Sequence, residues 1–438
     1  MWNNKIDQTT HTVTCPSCGL SCDDLQIETN NGHLKSMRNG CDKAHAFYQT
    51  AFSNIDKSPL IDGTPSSLDE AIERSAELLQ ESSSPLFAGL ATDVNGMRSI
   101  LSLADCCGAT LDHMNGDASL RNLRVVQDSG WFTTTFTEVR NRADLILLVG
   151  SQCMERFPRL VERVLHPTET LLDQARERKL VLLGPWGSDP LPEELTHLNT
   201  LTIPLDLERL GDAVAMLRAL IAGRPVDLDR PDVGDGDGLK ALASELKAAK
   251  YSVICWSAAE FDLPHSDLLI QGLAELAKEL NNESRSAALP LAGTQADITS
   301  NQVCTWQLGY PLRTSLQRGY PQHDPHLNRW QDLIERNESD FLLWVSSLSP
   351  DASPPPCDLP GVVLGHPGMA FEALPAVYIP VGVPGIDHQG HWYRSDAVCS
   401  LPLGKLREIG LPAVSHVVRL LHQKLRSNSA CLHGGAAC

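Results

Sequence analysis

The sequence predicts an α/β protein: parallel-sheet domains preceded by a small N-terminal β-hairpin that carries cysteines. Three observations predict it. Apolar runs of strand length, such as LILLVG at 145–150, alternate with segments of helical period, the order that builds parallel sheets covered by helices. The chain has 438 residues, too many for one core, so two or three units are expected. Four cysteines open it as C-x2-C-x3-C-x18-C, at Cys15, Cys18, Cys22 and Cys41.

Residues 1–55 form the expected cysteine unit. After Cys22, LQIE and HLKSM read as two short strands joined by Asn30-Asn31-Gly32, a hairpin signal. That hairpin returns Cys41 to the first three cysteines. The next unit, 56–235, starts its first helix at Ser67. Ser67-x-x-Glu70 is a capping box ahead of the apolar-periodic LDEAIERSAELLQ. A buried strand follows at 86–91, a helix at 96–107, strands at 143–150 and 179–185 with a helix around 159–165 between them, and a helix at 208–221. Residues 223–238 (GRPVDLDRPDVGDGDG) are rich in Gly, Pro and Asp, lack an apolar period and read as a linker. The third unit, 236–425, carries helices at 239–249 and 266–281, strands at 251–258, 341–347, 362–365 and 377–382, and a last helix at 413–425. Residues 426–438 read as a flexible tail. No repeat of fixed period runs through the chain.

Composition excludes several classes. A net charge of −18 opposes nucleic-acid binding, which needs clustered Lys and Arg. The polar N-terminus, MWNNKIDQTTHTV, has no apolar signal segment, and no run is long enough to span a membrane, so a cytoplasmic protein is expected. Thirteen cysteines in a chain of this kind are not a disulfide framework.

The four N-terminal cysteines point to a soft-metal centre. A [4Fe–4S] cluster takes four thiolates, and a structural zinc ion accepts the same set. Zinc sites more often show two separated C-x2-C knuckles. Three clustered cysteines and one distant one favour the cluster over zinc, with a metal-free relic as a third reading.

CPSCGLSCDD and GHLKSMRNGC resemble the N-terminus of the B subunit of formylmethanofuran dehydrogenase. The resemblance continues through EVRNRADLILLVGSQCMERFPR (138–159), is strongest in NQVCTWQLGYPLRTSLQRGYPQHDP (301–325), and returns at GIDHQGHWYRSDAV (385–398). It implies a molybdopterin-oxidoreductase-like α/β fold with an N-terminal [4Fe–4S] cluster on Cys15, Cys18, Cys22 and Cys41. It also implies Mo or W held by two pyranopterin guanine dinucleotides. In that family a Cys or selenocysteine ligates the metal shortly before a QDxG segment. Here QDSG is 127–130, and the ligand position falls near Ala118, in a stretch without cysteine that reads as a loop over 116–122. Asp117 is the one alternative donor there. Cys106 and Cys107 lie upstream on an expected helix, as buried structural thiols, and Cys153 lies downstream.

The missing ligand fits a related bacterial assembly better, the formyltransferase/hydrolase complex. Its B subunit resembles the dehydrogenase subunit without its metal-binding ability. The resemblance then implies a non-redox scaffold subunit with no catalytic residue of its own. Its partners would be an amidohydrolase-like A subunit, a C subunit, a formyltransferase D subunit and a methanofuran-type carrier. An active Mo/W dehydrogenase subunit is the alternative.

Asn301, Gln302, Gly309, Arg313, Arg318 and Gly319 lie in the motif-rich block and are the candidate cofactor-binding residues. Guanidinium forks and close backbone approach suit pyrophosphate or guanine recognition; loop-shaping Gly-Tyr-Pro turns and structural pairs made by Arg318 explain the block equally well. His388 and His391 read as loop histidines. Gly184-Pro185-Trp186-Gly187 reads as a strand-ending turn, since it lacks the Lys-Ser/Thr ending of a P-loop. Cys431, His433 and Cys438 fall in the tail.

Overall fold

The computed structural model describes residues 8–53, 58–187, 191–229 and 234–433. They form two compact units. One is discontinuous, taking residues up to Gly116 and again from Gly293; the other is Asp117–Ala292. The boundaries expected near 55 and 235 therefore fall inside units.

The first unit begins with three antiparallel strands, Gln8–Val13, Leu25–Asn30 and His33–Arg38. The hairpin turn is Asn31-Gly32, both with positive φ (49° and 77°), the conformation that Asn-Gly adopts at least cost. Helix Asp42–Ala51 follows. Its end is tied down by Arg407, a buried guanidinium that donates to the Ala51 carbonyl (2.6 Å), pairs with Asp387 (2.6 Å) and lies over the Phe52 ring. These bonds join the cysteine segment to the body of the unit, which is why it is not a separate domain.

That body is a nine-stranded sheet. Its centre is parallel, in the order Thr110–Leu111, Pro85–Ala91, Phe341–Ser346, Gly361–Gly365, Val377–Pro380. Pairs of two-residue antiparallel strands finish both edges. The central strands are apolar along their whole length because both faces are covered. Helices Leu68–Glu81, Val94–Cys107, Asp297–Leu308 and Val414–His433 bring Ile72, Met97, Ile100, Val303, Val417 and Leu421 onto Phe87, Leu343, Val345 and Val362. The opposite face packs Leu86, Leu342, Trp344 and Tyr378 with Leu333 and Met369. The capping box is present in full, with Ser67 and Glu70 exchanging bonds. The last helix outruns the expected end at 425. Leu425 is the last buried residue among the described side chains, and the continuation RSNSACLH carries no apolar period to read. The expected tail is thus helical to His433, and 434–438, Cys438 included, lie outside the described residues.

The second unit is a five-stranded parallel sheet in the order Thr200–Pro204, Lys179–Gly184, Leu145–Val149, Tyr251–Trp256, Arg285–Pro290. Helices Leu210–Ile221, Gly236–Ala248 and Ser266–Leu280 pack on it through Leu217, Leu242, Leu246 and Leu273. The strand order reverses between Leu145–Val149 and Tyr251–Trp256. The expected linker is a loop within this unit, since the strands on either side of it share one sheet, and Leu228 is buried in the core. Part of it, 230–233, lies outside the described residues. The expected loop over 116–122 is helical, part of Gly116–Asp128. That helix is hard to read from sequence because its apolar side is thin, with Leu120 and Val125 buried while Val126 is exposed.

Candidate functional site

The cysteine loop is closed by two backbone bonds, Cys15 N–H to the Cys22 carbonyl (2.8 Å) and Ser21 N–H to the Cys18 carbonyl (3.1 Å). Cys15, Cys18 and Cys22 are buried and Cys41, at the N-cap of helix Asp42–Ala51, is partly buried; none of the four is in a disulfide. Burial pushes the thiols of Cys15 and Cys18 up, and neighbouring thiols add to it: Cys18 and Cys22 act on Cys15, and Cys41 acts on Cys18. The structure therefore brings the four together within electrostatic reach. They do not close on a point: among the described residues no three Cys, His, Asp or Glu side chains gather tightly enough to hold a single metal ion. Two hydroxyls beside them, of Ser21 and Tyr48, are buried without a hydrogen-bond partner. An orphaned buried hydroxyl costs about 1–3 kcal/mol unless something accepts from it.

The loop has a fitted seat. Gly19 accepts a bond from Ser395 N–H (2.8 Å), and a Cβ on Gly293 would lie 2.5 Å from the Gly19 Cα. Gly293 also has φ +96°, so alanine there meets both a clash and backbone strain. Gly293→Ala is expected to destabilise the unit by about 1–3 kcal/mol. It should also speed amide exchange across residues 8–53. Unchanged exchange there would show that the seat does not hold the loop.

The candidate cofactor residues do not share one environment. Arg313 is buried (3% exposed, φ +70°). Its Nε lies 3.4 Å from Asp112 Oδ2 and its Nη1 donates to the Pro325 carbonyl (2.7 Å). Asp112 in turn accepts from the backbone N–H of His113 (2.8 Å) and Trp330 (3.0 Å). Asn301 bridges its helix to the next loop, donating to the Asp297 carbonyl and accepting from Leu312 N–H. Gln302 is partly buried one residue on. Gly309 and Gly319 take positive φ (83° and 78°), with nothing within 4 Å of a would-be Cβ. Conformation, not close approach, asks for glycine there. Arg318 is exposed, as are Trp306, Tyr310 and Tyr320.

Gly116, where the family's ligand loop would begin, fits only glycine: a Cβ would sit 2.5 Å from Asp112 Oδ1 and 3.2 Å from Arg313 Nη2. Beyond it come Asp117, Ala118 and Ser119 on a helix, with no thiol. Cys106 is exposed and Cys107 partly buried, so the expectation that both are buried thiols fails for Cys106; it lies on the outer side of its helix. Cys153 is buried. His391 is exposed, and His388 bonds the adjacent Gln389 carbonyl.

Sequence reasoning missed a buried titratable cluster near Gly116. His113 Nδ1 accepts from Asn115 N–H (2.9 Å), which leaves Nε2 as the protonated nitrogen, donating to the Gln295 carbonyl (3.0 Å). Asp297 accepts from the N–H groups of Gly293 and Ile298. Gln295 and Ala296 both have positive φ (52° and 59°). Burial pushes His113 down to about 4 and Asp297 up to about 6. His366, elsewhere in the unit, is likewise pushed down to about 4 by burial, and its Nδ1 accepts from Gly368 N–H.

The signs oppose. The two histidines, neutral when folded, give stability present above about 6.5 and lost as pH falls towards about 4. Asp297 gives stability present below about 3.8 and lost as pH rises through about 6. Two groups outweigh one, so unfolding free energy is expected to fall between pH 6.5 and 4. His366→Asn keeps an acceptor for Gly368 and should flatten the decline in urea melts. An unchanged slope in that variant would rule His366 out as a contributor.

Fold and cysteine loop together define a two-unit α/β protein with an N-terminal four-cysteine segment. No protein-family model matches the chain. It is similar over nearly its whole length to B subunits of two related assemblies. The B subunit of the tungsten-containing formylmethanofuran dehydrogenase 2 of Methanocaldococcus jannaschii is 26% identical over 88% of this chain and 91% of that protein. The corresponding subunit of Methanococcus maripaludis is 23% identical over 94% and 98%. The B subunit of the formyltransferase/hydrolase complex Fhc of Methylorubrum extorquens is 29% identical over 74% and 85%. A chain in the crystal structure of the FhcABCD complex from Methylorubrum extorquens, solved with methylofuran, superposes with a TM-score of 0.73 at 26% identity, covering 85% of this chain and 100% of that one. The chain is thus a relative of the B subunits of formylmethanofuran dehydrogenase and of the formyltransferase/hydrolase complex. No helix among the described residues is long and apolar enough to cross a membrane.

Proposed function

We propose that this chain is the B-type subunit of a formyltransferase/hydrolase-like complex in methanofuran-linked one-carbon metabolism, a cytoplasmic scaffold without redox catalysis of its own. The observation that carries the reading is the segment 116–122. It is helical, opens on a glycine with no room for a side chain, and holds no thiolate where a Mo or W ligand would stand. A soft anionic sulfur tunes such a metal, and neither Ala118 nor Ser119 replaces it. The solved relative, in an FhcABCD complex with methylofuran, supports the assembly: partner A, C and D subunits and a methanofuran-type carrier. The two tungsten-containing relatives favour the alternative, an active dehydrogenase subunit, but the segment 116–122 offers its metal no sulfur, only the carboxylate of Asp117.

Cys15, Cys18, Cys22 and Cys41 fit a [4Fe–4S] cluster. The buried thiols of Cys15 and Cys18, pushed up by burial, become stable thiolates only against a positive centre, and the orphaned Ser21 and Tyr48 hydroxyls lack acceptors. Structural zinc accepts the same four thiolates and is the competing reading. When bound, a cluster supplies one-electron chemistry, but its role here is to cross-link the loop. Metal analysis of the complex purified without air tests the reading. Iron with neither molybdenum nor tungsten is expected, together with formate release from a formylated carrier. Stoichiometric Mo or W with pterin would overturn the scaffold reading.

A further inference from the structure

In an open parallel sheet, ligands bind beyond the carboxyl ends of the strands where the strand order reverses, and phosphate groups take backbone N–H donors there. In the second unit that place lies beyond Leu145–Val149 and Tyr251–Trp256. The chain fills it with its own side chain. Glu260, four residues past the end of its strand, is buried at 5% exposure. Its Oε1 accepts from the Ser151 N–H (2.7 Å) and hydroxyl (3.3 Å), and its Oε2 accepts from the Gln152 N–H (3.0 Å). The carboxylate lies against the backbone: a Cβ on Gly150 would be 2.4 Å from Oε2. Gly150 has φ +89°, and Gly184, at the end of the neighbouring strand, packs on it so closely that its own Cβ would lie 3.1 Å from the Gly150 Cα. Two glycines, two adjacent N–H donors and a hydroxyl make a concavity shaped for an anion, and a carboxylate sits in it.

We propose that Glu260 is an internal anion occupying a phosphate subsite, and that it excludes nucleotide diphosphates from this sheet. A tethered carboxylate competes at high effective concentration, so a free diphosphate must displace it from both backbone donors. The inference deepens the non-redox reading above: it names the residue that keeps a dinucleotide out of this unit.

The test uses the full chain within its purified complex, as wild type, Glu260→Gln and Glu260→Gly, titrated with pyrophosphate and with GDP in calorimetry and melting experiments. Wild type should give no binding heat at millimolar ligand. Glu260→Gly should bind pyrophosphate and melt several degrees higher at saturation, on the order of 5–10 °C. Glu260→Gln, keeping the shape but not the charge, should bind more weakly than Glu260→Gly and more tightly than wild type; it decides the matter if the glycine variant does not fold. The proposal falls if wild type binds either ligand as tightly as the variants, or if a folded variant gains no binding. Mo or W with its pterin dinucleotide in the purified complex would sink the non-redox reading and the Glu260 proposal together. GDP bound to a metal-free wild type would sink only the Glu260 proposal.

Discussion

Replacing Arg313 with methionine is expected to lower the unfolding free energy by about 3–5 kcal/mol. The guanidinium is the partner of Asp112, whose side chain is wholly buried. Methionine fills much of the same volume, so the loss is not chiefly a cavity. It is the charge left behind: Asp112 would keep the N–H donors of His113 and Trp330 but lose its cation in a place water does not reach. The Pro325 carbonyl would lose its donor as well. Asp112→Asn combined with Arg313→Met removes both charges and should recover much of the stability. The contrast is the exposed Arg74–Glu77 pair, where Arg74→Ala should change stability by less than about 1 kcal/mol. Urea melts of these variants decide it. A loss below about 1 kcal/mol for Arg313→Met would mean the buried pair is not what holds this region.

On the cluster reading proposed above, Cys18→Ser is expected to strip the N-terminal segment of its iron. Cys18 is buried and stands between the other thiols, acted on by Cys41 and itself acting on Cys15. A serine oxygen is a poor ligand for a soft centre. Iron should fall from about four per chain to near none, since a cubane takes four thiolates. Because metal binding is also folding energy, the change should reach beyond the metal. Amide exchange should rise across 8–53 and leave 117–292 as it was. Cys106→Ser, on an exposed thiol, is the control and should keep all its iron. Wild-type chain containing one zinc and no iron would overturn the cluster, whatever the variants do.

Much of the fold was legible because local chemistry names it. Asn31-Gly32 dictates its hairpin, Ser67 and Glu70 dictate a helix start, and strands buried on both faces read as unbroken apolar runs. Adjacency was not legible. Nothing local to 293–433 says that it completes the sheet begun before Gly116, so the unit boundaries expected from composition were misplaced. The two-residue edge strands, Thr64–Pro65 and Gln322–His323, carry too few side chains to show a period. At the site, the cysteines announce themselves by spacing. Arg313 gave no sign that it pairs inside the fold, because its partner Asp112 lies 201 residues away. Glu260 looked like any solvated acid, since its bonding partners at Ser151 and Gln152 belong to another strand's end.

Arg407 also sets a clock. Its donor bond to the Ala51 carbonyl spans 356 residues. At roughly 5–20 residues per second of synthesis, the interval between the two is roughly 20–70 s. For all that time the N-terminal cysteines have left the ribosome without the guanidinium that fixes them, and for most of it without the Gly293 seat as well. Their thiols are then open to oxidants and to stray metal, and the segment acquires its final form only when the chain is nearly finished. If the segment holds the proposed cluster, its loading is a late event in the life of the nascent protein, after the second unit has already been made.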